Sequence, residues 1–224
     1  MCGWASSLFC GPKTMTMSTN DNQITASIFG ISRHRLTTDG EGVTTLVAFT
    51  GCPLRCKYCL NKQSWEPEKG RLYSPELLFE EVKIDQLYFL ATHGGITFGG
   101  GEPLLQLLFI QAFRNLCGRQ WQIVVETSLH VPLATVQAID PIVDGYIIDI
   151  KEMNPEIYEV YTGKANNIVL ENLQWLLQNG DPNRIKVRVP HIPEFNTDED
   201  VANSIERLKS MGVMDIDEFH YIIR

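Results

Sequence analysis

Short apolar runs alternate along the chain with longer stretches in which apolar residues recur every three or four positions. The first run, residues 44–49, is apolar and rich in β-branched residues, which is typical of a strand buried on both faces of a parallel sheet. Comparable runs follow at intervals, and together they predict six strands at residues 44–49, 95–98, 122–126, 146–150, 185–189 and 218–223.

Helical patterns occupy the intervals between these runs. Ser74 followed by Pro75 predicts a helix start, because a Ser side chain caps free backbone N–H groups and Pro fits the first helical turn. Gly118 and Gly180 stand where two helices are predicted to end. The predicted helices cover residues 75–91, 103–117, 133–139, 155–161, 168–178 and 198–211.

Strands that alternate with helices predict βαβ units with right-handed crossovers. The expected fold class is therefore α/β, in the form of a partial (β/α)6 TIM-like barrel with six units in place of eight. With 224 residues and 44% apolar side chains, the chain can bury one substantial core. We expect one domain over residues 24–224, preceded by a disordered head at residues 1–23.

The overall charge limits the classes of partner. The net charge is -8 and the pI is near 5.1, and no basic stripe stands out, so we expect no nucleic acid partner. No apolar stretch approaches the roughly 18 residues that a membrane span requires. The scattered cysteines do not resemble a disulfide framework, and a signal peptide is not recognisable. These features predict a cytoplasmic protein without a membrane partner.

Three closely spaced cysteines, Cys52, Cys56 and Cys59, follow the first predicted strand. Structural zinc sites take four protein ligands, and the nearest imidazoles, His34 and His93, are distant in sequence. Three thiolates leave a coordination position open, and thiolates select zinc or iron–sulfur clusters. A zinc site completed by a distant histidine and a chance cluster of free thiols are the alternatives.

Polar residues also stand at the ends of the later predicted strands, where barrel enzymes place their sites. Each has an ordinary alternative: the glycines can form a tight turn, the carboxylates can be solvated, and the cations can pair with the carboxylates. His191, between two prolines, reads as a loop residue. The residues at these ends are Gly99, Gly100, Gly101, Glu102, Glu126, Thr127, Asp149, Lys151 and Arg188.

The segment 51–59, with its three cysteines, resembles the signature of the radical S-adenosylmethionine (SAM) superfamily. The segments 99–102, 149–151 and 161–173 are similar to those of the activating enzymes of glycyl radical enzymes. The resemblance extends from about Ser27 to Arg224 and implies a radical SAM core. Residues 60–98 hold no further cysteine, as in the forms of this family with one cluster.

The resemblance implies that Cys52, Cys56 and Cys59 are the catalytic cysteines and ligate three irons of a 4Fe-4S cluster. The fourth iron would bind SAM, and reductive cleavage would give a 5′-deoxyadenosyl radical that removes a hydrogen atom from a glycine of a partner glycyl radical enzyme. A flavodoxin- or ferredoxin-type protein would donate the electron. The implied SAM contacts are Tyr58, Cys59, Leu60, Gly100, Gly101, Glu102, Asp149, Lys151 and Arg188.

Two further sites follow from the resemblance. A monovalent cation would bind Glu126, Thr127, the Ile147 carbonyl and Asp149, and Asp39 and Gly40 would contact the substrate. The sequence departs from the family at Thr44, where an Arg is expected, and at Ser128-Leu129, where Asn-Gly is frequent. A radical SAM enzyme that acts on a small molecule or peptide, such as a 7-carboxy-7-deazaguanine synthase-like enzyme or a maturase, and a non-enzymatic cluster or zinc module therefore remain alternatives.

Overall fold

The computed structural model describes residues 24–36 and 38–221, so the expected head at residues 1–23 lies outside the described residues. These residues form one eight-stranded sheet in the order β3-β1-β2-β4-β5-β6-β7-β8. The strands are β1 (Ala26–Leu36), β2 (Val43–Phe49), β3 (Arg71–Tyr73), β4 (Gly95–Gly100), β5 (Gln122–Thr127), β6 (Gly145–Asp149), β7 (Ile185–His191) and β8 (Asp215–His220).

Six of these strands, β2 and β4 to β8, are parallel and follow one another in chain order. The predicted α/β fold with six parallel strands is therefore confirmed. β1 pairs antiparallel with β2, and β3 pairs antiparallel with β1, so two strands that were not predicted extend one edge. The other edge is β8, which begins three residues before the predicted position because its exposed, charged sequence gives little apolar signal.

Helices connect the parallel strands. Ser74 caps the first helix through the Leu77 N–H, as predicted. The predicted helix over 75–91 is wrong in its continuity, since a 3-10 turn at Lys83–Asp85 divides it and buries Asp85. The helices are α1 (Pro75–Val82), α2 (Gln86–Thr92), α3 (Leu107–Cys117), α4 (Leu133–Ile139), α5 (Pro155–Thr162), α6 (Asn167–Asn179) and α7 (Asp198–Met211), and 3-10 helices also occur at Lys62–Trp65, Pro67–Lys69, Pro103–Gln106 and Pro182–Arg184.

The two faces of the sheet differ in chemistry. The outer face packs against the helices, and its Phe49 and Phe98 rings stack at 5.2 Å. The inner face carries polar side chains such as Thr97 and Arg188, which alternate with the outer apolar residues because successive residues of a strand point to opposite faces. Within the described residues, no helix is long and apolar enough to cross a membrane.

Candidate active site

A cavity of about 470 Å³ opens at the carboxyl ends of the parallel strands. Its walls bring together most of the residues that the sequence singled out. Five others, all in the described part of the chain, do not line it: Gly40, Tyr58, Gly99, Glu102 and Ile147. The predicted residues in its walls are Asp39, Cys52, Cys56, Cys59, Leu60, Gly100, Gly101, Glu126, Thr127, Asp149, Lys151 and Arg188.

The cysteine loop is fixed by backbone hydrogen bonds at its start and in its middle. Gly51, with φ of +91°, turns the chain out of β2, and its N–H donates to the Ser64 carbonyl at 2.6 Å. Farther along, the Arg55 N–H donates to the Thr162 carbonyl at 2.9 Å, and the Lys57 N–H donates to the Tyr161 carbonyl at 3.1 Å. The carboxyl end of α5 therefore holds the middle of the loop, and the thiols sit on a fixed support.

The three loop cysteines are free and partly exposed. Burial raises the pKa of Cys52 to about 12, and burial also raises the pKa of Cys56, although the charge of Lys151 counteracts part of that effect. A bound metal would supply the positive charge that converts such thiols to thiolates.

Within residues 24–36 and 38–221, no group of three or more His, Cys, Asp or Glu side chains is placed to hold a single metal ion.

The glycines at the end of β4 are required by close packing. Gly100 has a φ of +92°, and a Cβ there would lie 2.8 Å from the Ala48 Cα. A Cβ on Gly101 would lie 2.1 Å from the Gly51 carbonyl oxygen. A close approach of the backbone thus excludes side chains at these two positions, and the missing side chains leave the cavity open beside the cysteine loop. The Asn61 side chain, which the sequence did not point to, donates to the Gly100 carbonyl at 3.2 Å.

Two carboxylates and two cations form contiguous ion pairs in the wall of the cavity. Asp149 accepts hydrogen bonds from Lys151 Nζ at 2.8 Å and from Arg188 Nε at 2.7 Å, and Arg188 also pairs with Glu126. Burial raises the pKa of Asp149, but the charges of Lys151 and Arg188 outweigh it and lower that pKa to about 2. Burial raises the pKa of Glu126, and Arg188 offsets part of that rise. Asp149 is therefore firmly ionised, and the charges of this group nearly balance.

Glu102 is buried and does not itself line the cavity. Its carboxylate accepts from the Thr127 hydroxyl at 2.6 Å and from the Ser128 hydroxyl and N–H at 2.6 and 3.0 Å. It also accepts from the Leu104 N–H, which caps the turn after β4. Burial raises the pKa of Glu102 despite these hydrogen bonds. The carboxylate thus braces the end of β4 against the end of β5, and Ser128, one of the departures from the family, is part of that brace.

Other wall residues gave no signal in the sequence. Arg35 comes from the unpredicted strand β1, and Phe219 and Tyr221 come from the end of the chain that the structure describes. The Tyr221 hydroxyl lies 3.5 Å from Lys151 Nζ. Tyr58 points away from the cavity and donates to Glu194 at 2.8 Å, which ties the cysteine loop to the segment after β7. Arg35 could have been predicted as a wall residue only if β1 had first been recognised as a strand next to β2.

A half-open barrel with three free thiols on the loop after its first parallel strand defines a class of iron–sulfur enzyme. Residues 46–208 match the model of the Radical SAM superfamily. The chain therefore belongs to the radical SAM superfamily and is a radical SAM enzyme. Membership implies a 4Fe-4S cluster and SAM as cofactors, and three free thiols beside a polar cavity fit both.

Named relatives and solved structures agree with this assignment. The chain is 29% identical over 187 residues to the pyruvate formate-lyase 1-activating enzyme of Escherichia coli (strain K12), which covers 79% of this chain and 72% of the relative. It is 30% identical over 233 residues to the (2S)-3-sulfopropanediol dehydratase activating enzyme of Klebsiella oxytoca. This match covers 76% of this chain and 73% of the relative. Streptococcus suis SuiB bound to S-adenosylmethionine superposes with a TM-score of 0.61 at 11% identity, covering 80% of this chain and 42% of that chain, which shows the fold alone.

Proposed function

We propose that this radical SAM enzyme activates a glycyl radical enzyme by removing a hydrogen atom from one of its glycines. The observation that carries the proposal is the segment 38–42, which runs inside the barrel and places Asp39 in the same cavity wall as the three cysteines. The relatives in Escherichia coli and Klebsiella oxytoca, named as activating enzymes, support it. A substrate segment bound at Asp39 would lie beside the site of radical formation.

Different residues of the chain would hold the cluster and SAM. Cys52, Cys56 and Cys59 would hold the cluster, which when bound supplies the electron that cleaves SAM to methionine and a 5′-deoxyadenosyl radical. Lys151 and Arg188 offer cationic groups, and Asp149 an anionic one, to the carboxylate, amino and ribose groups of SAM. Gly100 and Gly101 let SAM approach the backbone.

The segment 38–42 is fixed at two points within the barrel. The Thr97 hydroxyl donates to the Asp39 carbonyl. Gly40 has a φ of +129°, and a Cβ there would contact Thr44 and Val124 at 3.5 Å. Asp39 lines the cavity at the carboxyl ends of the strands, here called the upper cavity, and Gly40 lines a second cavity at the opposite end of the barrel, the lower cavity. This segment therefore forms the floor of the site. A polypeptide that enters the cavity would meet Asp39 at that floor.

The monovalent cation is part of the proposal. Glu126, Thr127, the Ile147 carbonyl and Asp149 would hold it, and the two carboxylates give it an anionic setting. Because Arg188 pairs with both carboxylates, the cation and this arginine would compete for them. A cation bound there would lie beside the SAM carboxylate and attract it. The affinity for SAM should then rise when sodium or potassium replaces choline in the buffer, and equal affinities would contradict the cation site.

A flavodoxin- or ferredoxin-type electron donor would dock on the cysteine loop. This loop and the turn after it expose Arg55, Lys57 and Lys62, although the chain as a whole carries a net charge of -8. An acidic donor would be steered to these cations, so its reduction rate should fall as salt rises. A reducing cytoplasm is the compartment in which such thiolates persist.

The test is anaerobic incubation of the cluster-loaded protein with SAM, a reductant and each glycyl radical enzyme encoded in the same genome. Electron paramagnetic resonance should show a glycyl radical, and about one SAM should be consumed per radical formed, because the radical stays on the partner. Continued SAM consumption with release of a small modified product would favour the small-molecule alternative. No glycyl radical with any partner would contradict the proposal.

A further inference from the structure

Arg35 lies directly opposite Thr44 across the β1–β2 pair. Thr44 is the position where the family resemblance leads one to expect an arginine. The structure thus carries an arginine on the neighbouring strand, directly opposite that position. Positions 35 and 44 are cross-strand neighbours although nine residues separate them in sequence. An arginine on either strand would therefore start from nearly the same place.

An irregularity in β1 turns Arg35 into the barrel. Residues two apart on a regular strand share a face, so Arg33 and Arg35 would point the same way. The pairing shifts between Ser32 and Arg35, and His34 adopts a left-handed φ of +55°. Arg33 therefore points to the helix side, where its Nε donates to the Asp85 Oδ2 at 2.6 Å. Arg35, in contrast, lines the upper cavity. Such bulges commonly redirect a side chain next to a site.

Arg35 provides the ion-pair partner for the Asp39 carboxylate. It donates to both carboxylate oxygens, one of them at 3.1 Å, and the Asp39 side chain is only 4% exposed. A carboxylate at that depth needs a paired charge, and its hydrogen bonds in the described part of the chain come from Arg35. Position 44 cannot supply one, because Thr44 is uncharged. Its hydroxyl is buried and finds no hydrogen-bond partner among the residues described.

Arg35 also connects the floor of the site to the SAM side. The hydrogen bonds of Asp39 raise the pKa of Arg35, and the nearby charge of Glu126 adds to that rise. Glu126 in turn pairs with Arg188, which holds Asp149. Anionic and cationic groups therefore alternate from the substrate segment to the proposed SAM contacts, and Arg35 occupies the step between Asp39 and Glu126.

We propose that Arg35 is the positioning residue of the polypeptide-binding segment, in the place that an arginine at position 44 would otherwise fill. It holds the Asp39 carboxylate at the floor of the cavity, where the backbone of the partner's glycine segment docks. This role rests on the proposed function. It requires Arg35 to affect binding of the partner polypeptide more than it affects binding of SAM.

The experiment measures wild type, Arg35→Ala, Arg35→Lys and the exchange variant Arg35→Thr/Thr44→Arg as cluster-loaded proteins. Arg35→Ala should raise KM for the partner enzyme roughly 10- to 100-fold, a larger change than it causes in SAM cleavage without partner. Arg35→Lys should be intermediate, because an ammonium cannot reproduce the forked contact. The exchange variant should recover most of the wild-type KM.

Arg33→Ala is the matched control, since it removes an arginine and an ion pair from the same strand outside the cavity. It should lower thermal stability and leave KM unchanged. An unchanged KM in Arg35→Ala, a parallel loss of partner-free SAM cleavage, or an exchange variant as poor as Arg35→Ala would overturn the role. A wild type that activates no partner contradicts the proposed function and this role together, whereas normal wild-type activation with an unchanged Arg35→Ala contradicts this role alone.

Discussion

The barrel has a cavity at each end, and the two differ in chemistry more than in size. The upper cavity, at the carboxyl ends of the strands, measures about 470 Å³, and the lower one measures about 610 Å³. Side chains of the upper ion pairs are largely buried, at 21% and 22% exposure for Arg188 and Asp149. At the lower end, Lys186 and Asp215 are 43% and 58% exposed, whereas Arg184 and Asp144 in the same wall are 27% and 20% exposed and pair with Asp140 and Arg114. Buried ion pairs therefore occur at both ends, and what distinguishes the upper cavity is that its charges converge beside the three loop cysteines.

The largest expected effect is the loss of a cysteine from the upper cavity, compared with the loss of a cysteine buried elsewhere. Cys56→Ala should abolish SAM cleavage and sharply lower the bound iron, because the loop then has only two thiolates for the cluster. Cys117→Ala is the control, since Cys117 is buried in α3 away from the upper cavity. It should keep full iron content and cost about 1 kcal/mol of stability. Equal iron content in both variants would show that the loop does not hold the cluster.

Two residues of β7 on the same face allow the second comparison. Arg188→Met should destabilise the protein by about 3 kcal/mol and weaken SAM binding, because Glu126 and Asp149 lose their shared partner. Lys186→Met, at the lower end of the strand, should change stability by less than about 0.5 kcal/mol. Denaturant unfolding and SAM titration measure both effects. Similar losses in the two variants would remove the distinction between the ends.

Glu102→Gln tests how far the upper site extends. The amide can accept fewer hydrogen bonds than the carboxylate, so the brace to Thr127 and Ser128 should weaken by about 1–3 kcal/mol. Since Glu102 does not line the cavity, SAM affinity should change little, whereas Asp149→Asn should lower it at least tenfold. A larger loss of SAM affinity in Glu102→Gln than in Asp149→Asn would instead place Glu102 in the SAM site.

The smallest expected effect lies at the lower end. Thr44→Val removes a buried hydroxyl without a hydrogen-bond partner among the described residues, so stability should stay the same or rise by up to about 1 kcal/mol. Thr45→Val is the matched control, because the Thr45 hydroxyl donates to Asp85 at 3.3 Å and its loss should cost about 1 kcal/mol. Thermal unfolding compares them, and a greater loss at position 44 would contradict this assignment.

The sequence predicts those parts of the fold whose signal is local. The parallel strands β2 and β4 to β7 are largely buried, so their apolar runs are visible in the chain. In contrast, β1 is mostly exposed over residues 32–36, and β3 has three residues, so neither gives a run long enough to recognise. The break in the helix at Asp85 depends on Arg33 and His34, which come from β1. A contact between distant strands cannot be read from either segment alone.

The same limit applies to the site. The cysteine spacing and the strand ends identify the residues that meet in the upper cavity. The direction of the Glu102 side chain depends on Ser128 and Thr127 at the end of another strand, and Arg35 enters the cavity only because β1 is irregular at His34. Both depend on tertiary register, which a single sequence does not specify.

The central claim is that the cysteine loop holds a 4Fe-4S cluster with SAM beside it in the upper cavity. The most direct measurement is electron paramagnetic resonance of the anaerobically reconstituted and reduced protein before and after SAM is added. We expect about four iron and about four sulfide ions per chain, a cluster signal that changes when SAM binds, and release of methionine. Bound zinc in place of iron, or a cluster signal that SAM leaves unchanged, would contradict the claim.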